Sequence, residues 1–164
     1  MSIDRKYFRY AEKHALNPGF GSLWEAVNPG SFYALVEDPT NSAITSINST
    51  TSGVAGAKQV AAMGWIGQPL PTDRRLDGSV TFRMRARENA DTNDSKLALQ
   101  VFVISEDGVT VRGQLFYGVS AGELTTTLTA TDIQGNLDAV DAQAGDRLVA
   151  VVGFDIANIT TSSL

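Results

Sequence analysis

The chain has 164 residues, 43% of them hydrophobic, which is enough for one substantial core and too few for two large domains. A net charge of −5 argues against nucleic acid as a partner, because phosphate binding rests on clustered Lys and Arg, and the lack of cysteine excludes disulfides and thiolate metal sites. No stretch approaches the roughly 18 apolar residues of a membrane span, and the first residues lack an apolar run with a small-residue cleavage site, so a soluble chain made in the cytoplasm is expected.

Tyr7, Phe8, Ala11 and Ala15 recur at near-helical spacing, with Arg5, Lys6, Arg9, Glu12 and Lys13 on other faces, which predicts a short amphipathic helix over residues 4–16. Asn17-Pro18-Gly19 ends it, and Ser22 is a candidate cap for a brief second helix through Leu23, Trp24 and Val27 that stops at Asn28-Pro29-Gly30. The apolar run at residues 32–36 is the first predicted strand, and residues 38–53, rich in Ser, Thr, Asn and Pro, read as a loop. Further strands are predicted over residues 60–66 and 80–87. In the second of these Val80, Phe82, Met84 and Ala86 alternate with Thr81, Arg83, Arg85 and Arg87 after a turn at Asp77-Gly78.

Residues 97–104 are apolar without alternation, as in a central strand covered on both faces, and Glu106-Asp107-Gly108 supplies a hairpin into a strand over 109–117. Residues 124–130 alternate Leu and Thr, Ala144-Gly145-Asp146 forms a turn, and residues 147–154 make a last apolar strand. Seven or eight strands with turns between them predict a mainly β chain, an antiparallel β-sandwich of jelly-roll type. The boundaries expected are a partly helical N-terminal segment over 1–39, a Ser/Thr-rich linker over 40–56 and the sandwich over 57–164.

Catalytic signatures are sparse. His14 is the only histidine and sits far in sequence from any Ser-containing elbow, so neither a triad nor a catalytic zinc site is expected. Glu88 and Asp91 do not have the look of a glycosidase pair, and an enzyme is not expected. Asp91, Asn93 and Asp94 resemble the start of a calcium loop, but Lys96 stands where an EF-hand needs glycine, which leaves them a weak metal candidate beside an ordinary polar connection. Arg83, Arg85 and Arg87 share one strand face and are candidate contacts for an acidic partner or a sugar-acid polymer; the plainer reading gives them cross-strand partners such as Glu106 or Asp107. Trp65 and Phe116 fit core positions, whereas Trp24 could anchor a protein interface.

The succession Leu76-Asp77-Gly78-Ser79-Val80, then Arg87-Glu88-Asn89-Ala90 with Asp94, the run 97–103, Asp107-Gly108-Val109-Thr110-Val111-Arg112-Gly113 and Ala142-Gln143-Ala144-Gly145-Asp146-Arg147-Leu148-Val149 resembles a jelly-roll domain that recurs in tailed-bacteriophage structural proteins. The resemblance covers residues 57–154. Its motifs are turns and strands rather than catalytic groups, so it implies architecture and a virion setting: a capsid decoration protein or a head fibre, tail fibre or baseplate module, with no cofactor, other virion proteins as partners and a homo-oligomeric state. Capsid decoration is the first expectation, with Tyr7, Phe8, Ala11, Trp24 and Phe32 as the docking interface. The alternative is a fibre module that reads a host-surface glycan or receptor through Arg83, Arg85 and Arg87. Such domains close with a strand beyond Gly153-Phe154, so closure here is expected from a different pairing, a neighbour's strand or a longer chain.

Overall fold

The structure of the chain, a computed structural model, describes residues 6–16, 18, 23–27, 32–36, 58–88 and 94–157. All regular structure among them is β: β1 (Tyr7–Lys13), β2 (Ala26–Val27), β3 (Phe32–Val36), β4 (Lys58–Ile66), β5 (Arg74–Ala86), β6 (Ser95–Ile104), β7 (Val111–Val119), β8 (Thr129–Ala142) and β9 (Arg147–Ile156). A large sheet runs β1-β3-β4-β9-β6-β7, with β2 also paired to β4, and β5 with β8 forms a small second sheet. Three antiparallel pairs nest inside one another, β6 with β7, β5 with β8, and β4 with β9. The chain is thus one long folded-over hairpin whose middle pair leaves the large sheet, while β6 closes against β9.

The two faces of the large sheet are both apolar, for the reason visible in the unalternating run of β6. Leu97 and Leu99 of β6, Met63 and Trp65 of β4, and Ala150 and Val152 of β9 pack inward with Phe82, Ala86 and Ile133 of the small sheet. Ala98, Phe102, Ile104, Val149 and Val151 point the other way, and there Trp24, Phe32, Leu16 and Leu23 cover them. Trp65 and Phe116 are core residues, as their strand patterns predict.

The N-terminal reading needs correction. Residues 7–13 form β1 rather than a helix: they pair with β3, with residues 9–12 bulging opposite Ala34. Aromatic Tyr7, Phe8 and Tyr10 suit a pleated surface, and sheet pairing overrides the weak helical spacing. The expected second helix is replaced at Ala26–Val27 by β2, which runs parallel to β4 in line with β3. These strands fall in the segment 1–39 read as separate from the sandwich, yet they belong to the large sheet. The linker 40–56 lies outside the described residues.

Two further differences are local. Asp77-Gly78 lies within β5 and is not a turn before it: β8 bulges there, with residues 138 and 139 opposing the single Asp77, and Gly78 takes φ 106°, which favours glycine. The strand expected over 124–130 begins only at Thr129, and its fourteen residues were hidden because the same bulge breaks the inward series Thr131, Ile133, Gly135, Leu137 before Val140 and Ala142. β7 carries two bulges of its own, at Leu115 and Arg112. They bend it towards β8, where a side chain on Gly135 would stand 2.5 Å from the Phe116 ring.

Gly153 plays the corresponding part on the covered face. A Cβ there would run into the Val60 carbonyl oxygen and lie 2.6 Å from Trp24 Cζ3 and 2.9 Å from Ala61 Cα, so both the β4 backbone and the indole sit directly on β9 at this glycine. Gly153→Val is expected to destabilise the fold by about 1–3 kcal/mol, the usual cost of overpacking against neighbours that cannot retreat. Urea denaturation followed by tryptophan fluorescence checks it; an unchanged midpoint would show that neither Trp24 nor the β4 backbone rests on this glycine.

Candidate functional site

The outward face of the small sheet gathers the arginines that the sequence singles out. Arg83 and Asp132 are direct cross-strand neighbours, and the guanidinium grips the carboxylate with two hydrogen bonds, Nε to Oδ1 at 2.6 Å and Nη2 to Oδ2 at 2.7 Å. Hydrogen bonding to Asp132 raises the Arg83 pKa, and the same bonds lower that of Asp132. The partner is therefore Asp132, and not the Glu106 or Asp107 expected from sequence. Among the described residues Arg85 reaches only the Leu128 carbonyl, at 3.3 Å, and Arg87 is exposed just beyond the strand. Further along, Arg75 lies 3.6 Å from Asp77 and 3.7 Å from Asp141, and Arg75 and Asp141 border a shallow polar depression with Asp73 and Gln143.

Next to this depression lie the two turns that the resemblance emphasises. Asp107 accepts hydrogen bonds from the Ser105 hydroxyl, the Val109 and Thr110 amides and the Thr110 hydroxyl, which hold its carboxyl well below the usual range. Gly108 completes this turn at φ 75°, with the Leu16 side chain against it. Val109 and Val111 stand exposed on either side of Thr110. Beside them Asp146 is fully buried: it accepts the Gln143 amide at 2.8 Å and Arg112 Nε at 3.3 Å. Asp73 caps the same turn by accepting the Ala144 amide.

On the covered face, Trp24 Nε1 donates to Gln100 Oε1 at 2.7 Å, and Gln100 Nε2 donates to Gln114 Oε1 at 2.9 Å. The Tyr117 ring meets the indole edge to face, with centroids 6.4 Å apart, and burial raises its pKa, with Asp155 adding to the effect. Trp24 is 7% and Phe32 1% exposed, so both are buried in this chain's own core and have little surface left for a neighbour. Tyr7, Phe8 and Ala11 sit on β1, the edge strand of the large sheet; their side chains lie outside the described residues.

His14 is a structural acceptor: its Nδ1 takes the Leu16 amide at 3.1 Å, and its own amide donates to the Phe32 carbonyl. Burial, with Arg147 second, lowers its pKa. Of the calcium candidates, Asp91 and Asn93 lie outside the described residues, and Asp94 adopts φ 44° at the start of β6. Among the described residues no three of His, Asp and Glu gather as a metal site. The Arg112–Asp146 pair, with its carboxylate buried, was missed because its members lie far apart in sequence; the only signal was an aspartate inside a turn followed at once by an apolar strand.

Two outcomes follow from these electrostatics. Arg112→Leu leaves the buried Asp146 carboxylate without its cation and should cost about 2 kcal/mol, below the ~3–5 kcal/mol of a fully buried pair because Arg112 is 34% exposed; chemical denaturation measures it. For His14, the folded pKa lies below the ordinary 6.5, so the unfolded chain takes up the proton first. Its contribution is intact above that value and is lost as the pH falls through the folded one. A denaturation series between about pH 7 and 5.5 should slope for the natural chain and flatten for His14→Gln, whose amide oxygen can still accept the Leu16 amide.

No protein-family model matches the chain, and no curated protein shows significant similarity to it. Its function has to be read from its own residues.

Proposed function

We propose that the chain is a structural component of a tailed-bacteriophage virion, a jelly-roll β-sandwich that attaches to the particle through its N-terminal strands and oligomerises there, with capsid decoration the leading role. The observation that carries this reading is the nesting of β4–β9, β5–β8 and β6–β7. A jelly roll arises when a long hairpin rolls so that alternate pairs fall in opposite sheets, and the turn that closes β6–β7 at Asp107-Gly108 and the one that joins β8 to β9 at Gly145-Asp146 lie in the segments that resemble the phage domain. The arrangement around them supports assembly: the preorganised turns and paired arginines fix shape without gathering reactive groups.

With Trp24 and Phe32 committed to the core, the docking patch narrows to Tyr7, Phe8 and Ala11 on the edge strand β1. An edge strand offers unpaired backbone groups as well as side chains, which suits attachment to a neighbouring subunit. A second reading, recognition of an acidic glycan or receptor on a fibre, draws on Arg85 and Arg87, neither of which meets a carboxylate among the described residues.

Quantitative mass spectrometry of purified particles tests the role. Copy numbers on the scale of the capsid lattice would favour decoration, a few copies would favour the tail or fibres, and absence from particles would overturn the virion reading. Tyr7→Ser combined with Phe8→Ser should lower the number bound per particle while the isolated chain keeps its β circular dichroism.

A further inference from the structure

Asp-Gly pairs occur twice in the chain, at Asp77-Gly78 and Asp107-Gly108. An aspartate before glycine has a chemistry of its own. With no side chain on the glycine to obstruct it, the glycine nitrogen can attack the aspartyl Cγ and close a five-membered succinimide ring. In a folded chain the carboxyl must be free to swing back onto that amide, it must take up a proton so that water can leave, and the peptide between the two residues must be able to turn.

The fold denies all three at Asp107. Both carboxylate oxygens are engaged, by the Ser105 hydroxyl, the Val109 and Thr110 amides and the Thr110 hydroxyl. These bonds hold the carboxyl well below the usual carboxylate range, so its protonated form is scarce. The Gly108 amide is committed as well, donating to the Ser105 carbonyl at 3.0 Å, and the Leu16 side chain lies against Gly108.

Asp77 is held by none of this. Its side chain is 62% exposed, and among the described residues its carboxylate meets only Arg75 Nε, at 3.6 Å and equally exposed, an ion pair too wet to fix it. Gly78 takes φ 106°, with nothing within 4 Å of the place where a side chain would start. Across the strand pair β8 is bulged, residues 138 and 139 facing Asp77 alone, so the ladder that would stiffen β5 is interrupted at this residue.

We propose that Asp77-Gly78 is a site of spontaneous backbone modification, which the fold exposes to succinimide formation and conversion to isoaspartate while it protects Asp107-Gly108. This goes beyond the virion reading and does not depend on it. The Gly78 nitrogen bonds to Asp77 Cγ and gives up its proton as one water leaves. Hydrolysis returns that water to either ring carbonyl, restoring aspartate or leaving isoaspartate, with no oxidant or reductant involved. Isoaspartate carries the main chain through Cβ and Cγ and so lengthens β5 by one backbone atom. β8 already has a residue in excess at this point, so the added length takes up part of the mismatch, and the pairs from Ser79–Asn136 to Ala86–Thr129 keep their register.

The test ages the full chain for weeks at neutral pH, below its melting temperature, and recovers the soluble folded fraction by gel filtration. Trypsin then places the two pairs in separate peptides, residues 76–83 and 97–112. Isoaspartate in each is read by methyl transfer from labelled S-adenosylmethionine, catalysed by an isoaspartate-specific carboxyl methyltransferase. It should accumulate in peptide 76–83 and at least about tenfold more slowly in 97–112, the factor that one or two net hydrogen bonds supply. Asp77→Glu, whose longer side chain disfavours ring closure, should remove the first signal and leave the second unchanged. In concentrated urea the two peptides of the natural chain should converge, because the fold is what separates them; this comparison decides if the variant does not fold. Absence of isoaspartate from peptide 76–83 of the folded fraction, equal accumulation at the two pairs, or a preference that persists in urea overturns the proposal.

Discussion

β4, β9 and β6 are apolar on both faces, and a sheet of that kind cannot leave either side in water. On the outer face alone, exposing Ile66, Phe102, Ile104, Val149 and Val151 at roughly 1.5–3 kcal/mol each would cost on the order of 10 kcal/mol. That equals the whole net stability of an ordinary domain, about 5–15 kcal/mol. Two covers are therefore obligatory. The small sheet supplies one through Phe82, Ala86 and Ile133, and the N-terminal strands and their connections supply the other through Trp24 and Phe32. The buried polar side chain on the outward face of β6, Gln100, is satisfied by the indole and by Gln114, so the cover has one fixed position rather than a range of greasy alternatives.

Close approach of the covers depends on backbone that lacks side chains at the right places. Gly153 admits Trp24, Gly64 lies beneath the Phe32 ring, and Gly135 lets Phe116 reach between β7 and β8. Bulges do the complementary work. Those in β7 and β8 turn strands that would otherwise diverge, because each extra residue sharpens the local twist, and the small sheet is thereby folded against the large one instead of extending it.

The same features decide what could be read in the sequence. β6 and β9 were legible because both faces of each are buried, which leaves an unbroken apolar run, and β5 because one face is wet and its alternation is unbroken through Arg83 and Arg85. β8 was not, since its inward positions change phase at the bulge and include Gly135, so no period-two pattern survives its full length. β1 was misread as a helix: its two apolar pairs fit either period, and what makes it a strand is β3, which lies more than twenty residues away. Of the site, the turns at Asp107 and Asp146 were visible as turns, but their charges were not, because the partners of Asp146 and Arg83 are set by tertiary pairing.

Charge placement then separates the surfaces that are finished from those that are not. Where arginines fall opposite acids, as Arg83 does to Asp132 and Arg112 to Asp146, the pairing is internal and adds rigidity. Asp107 likewise spends its oxygens on its own turn, which stiffens the tip that carries Val109 and Val111. Arg85 and Arg87 break this pattern at the end of β5, where neither meets a carboxylate among the described residues.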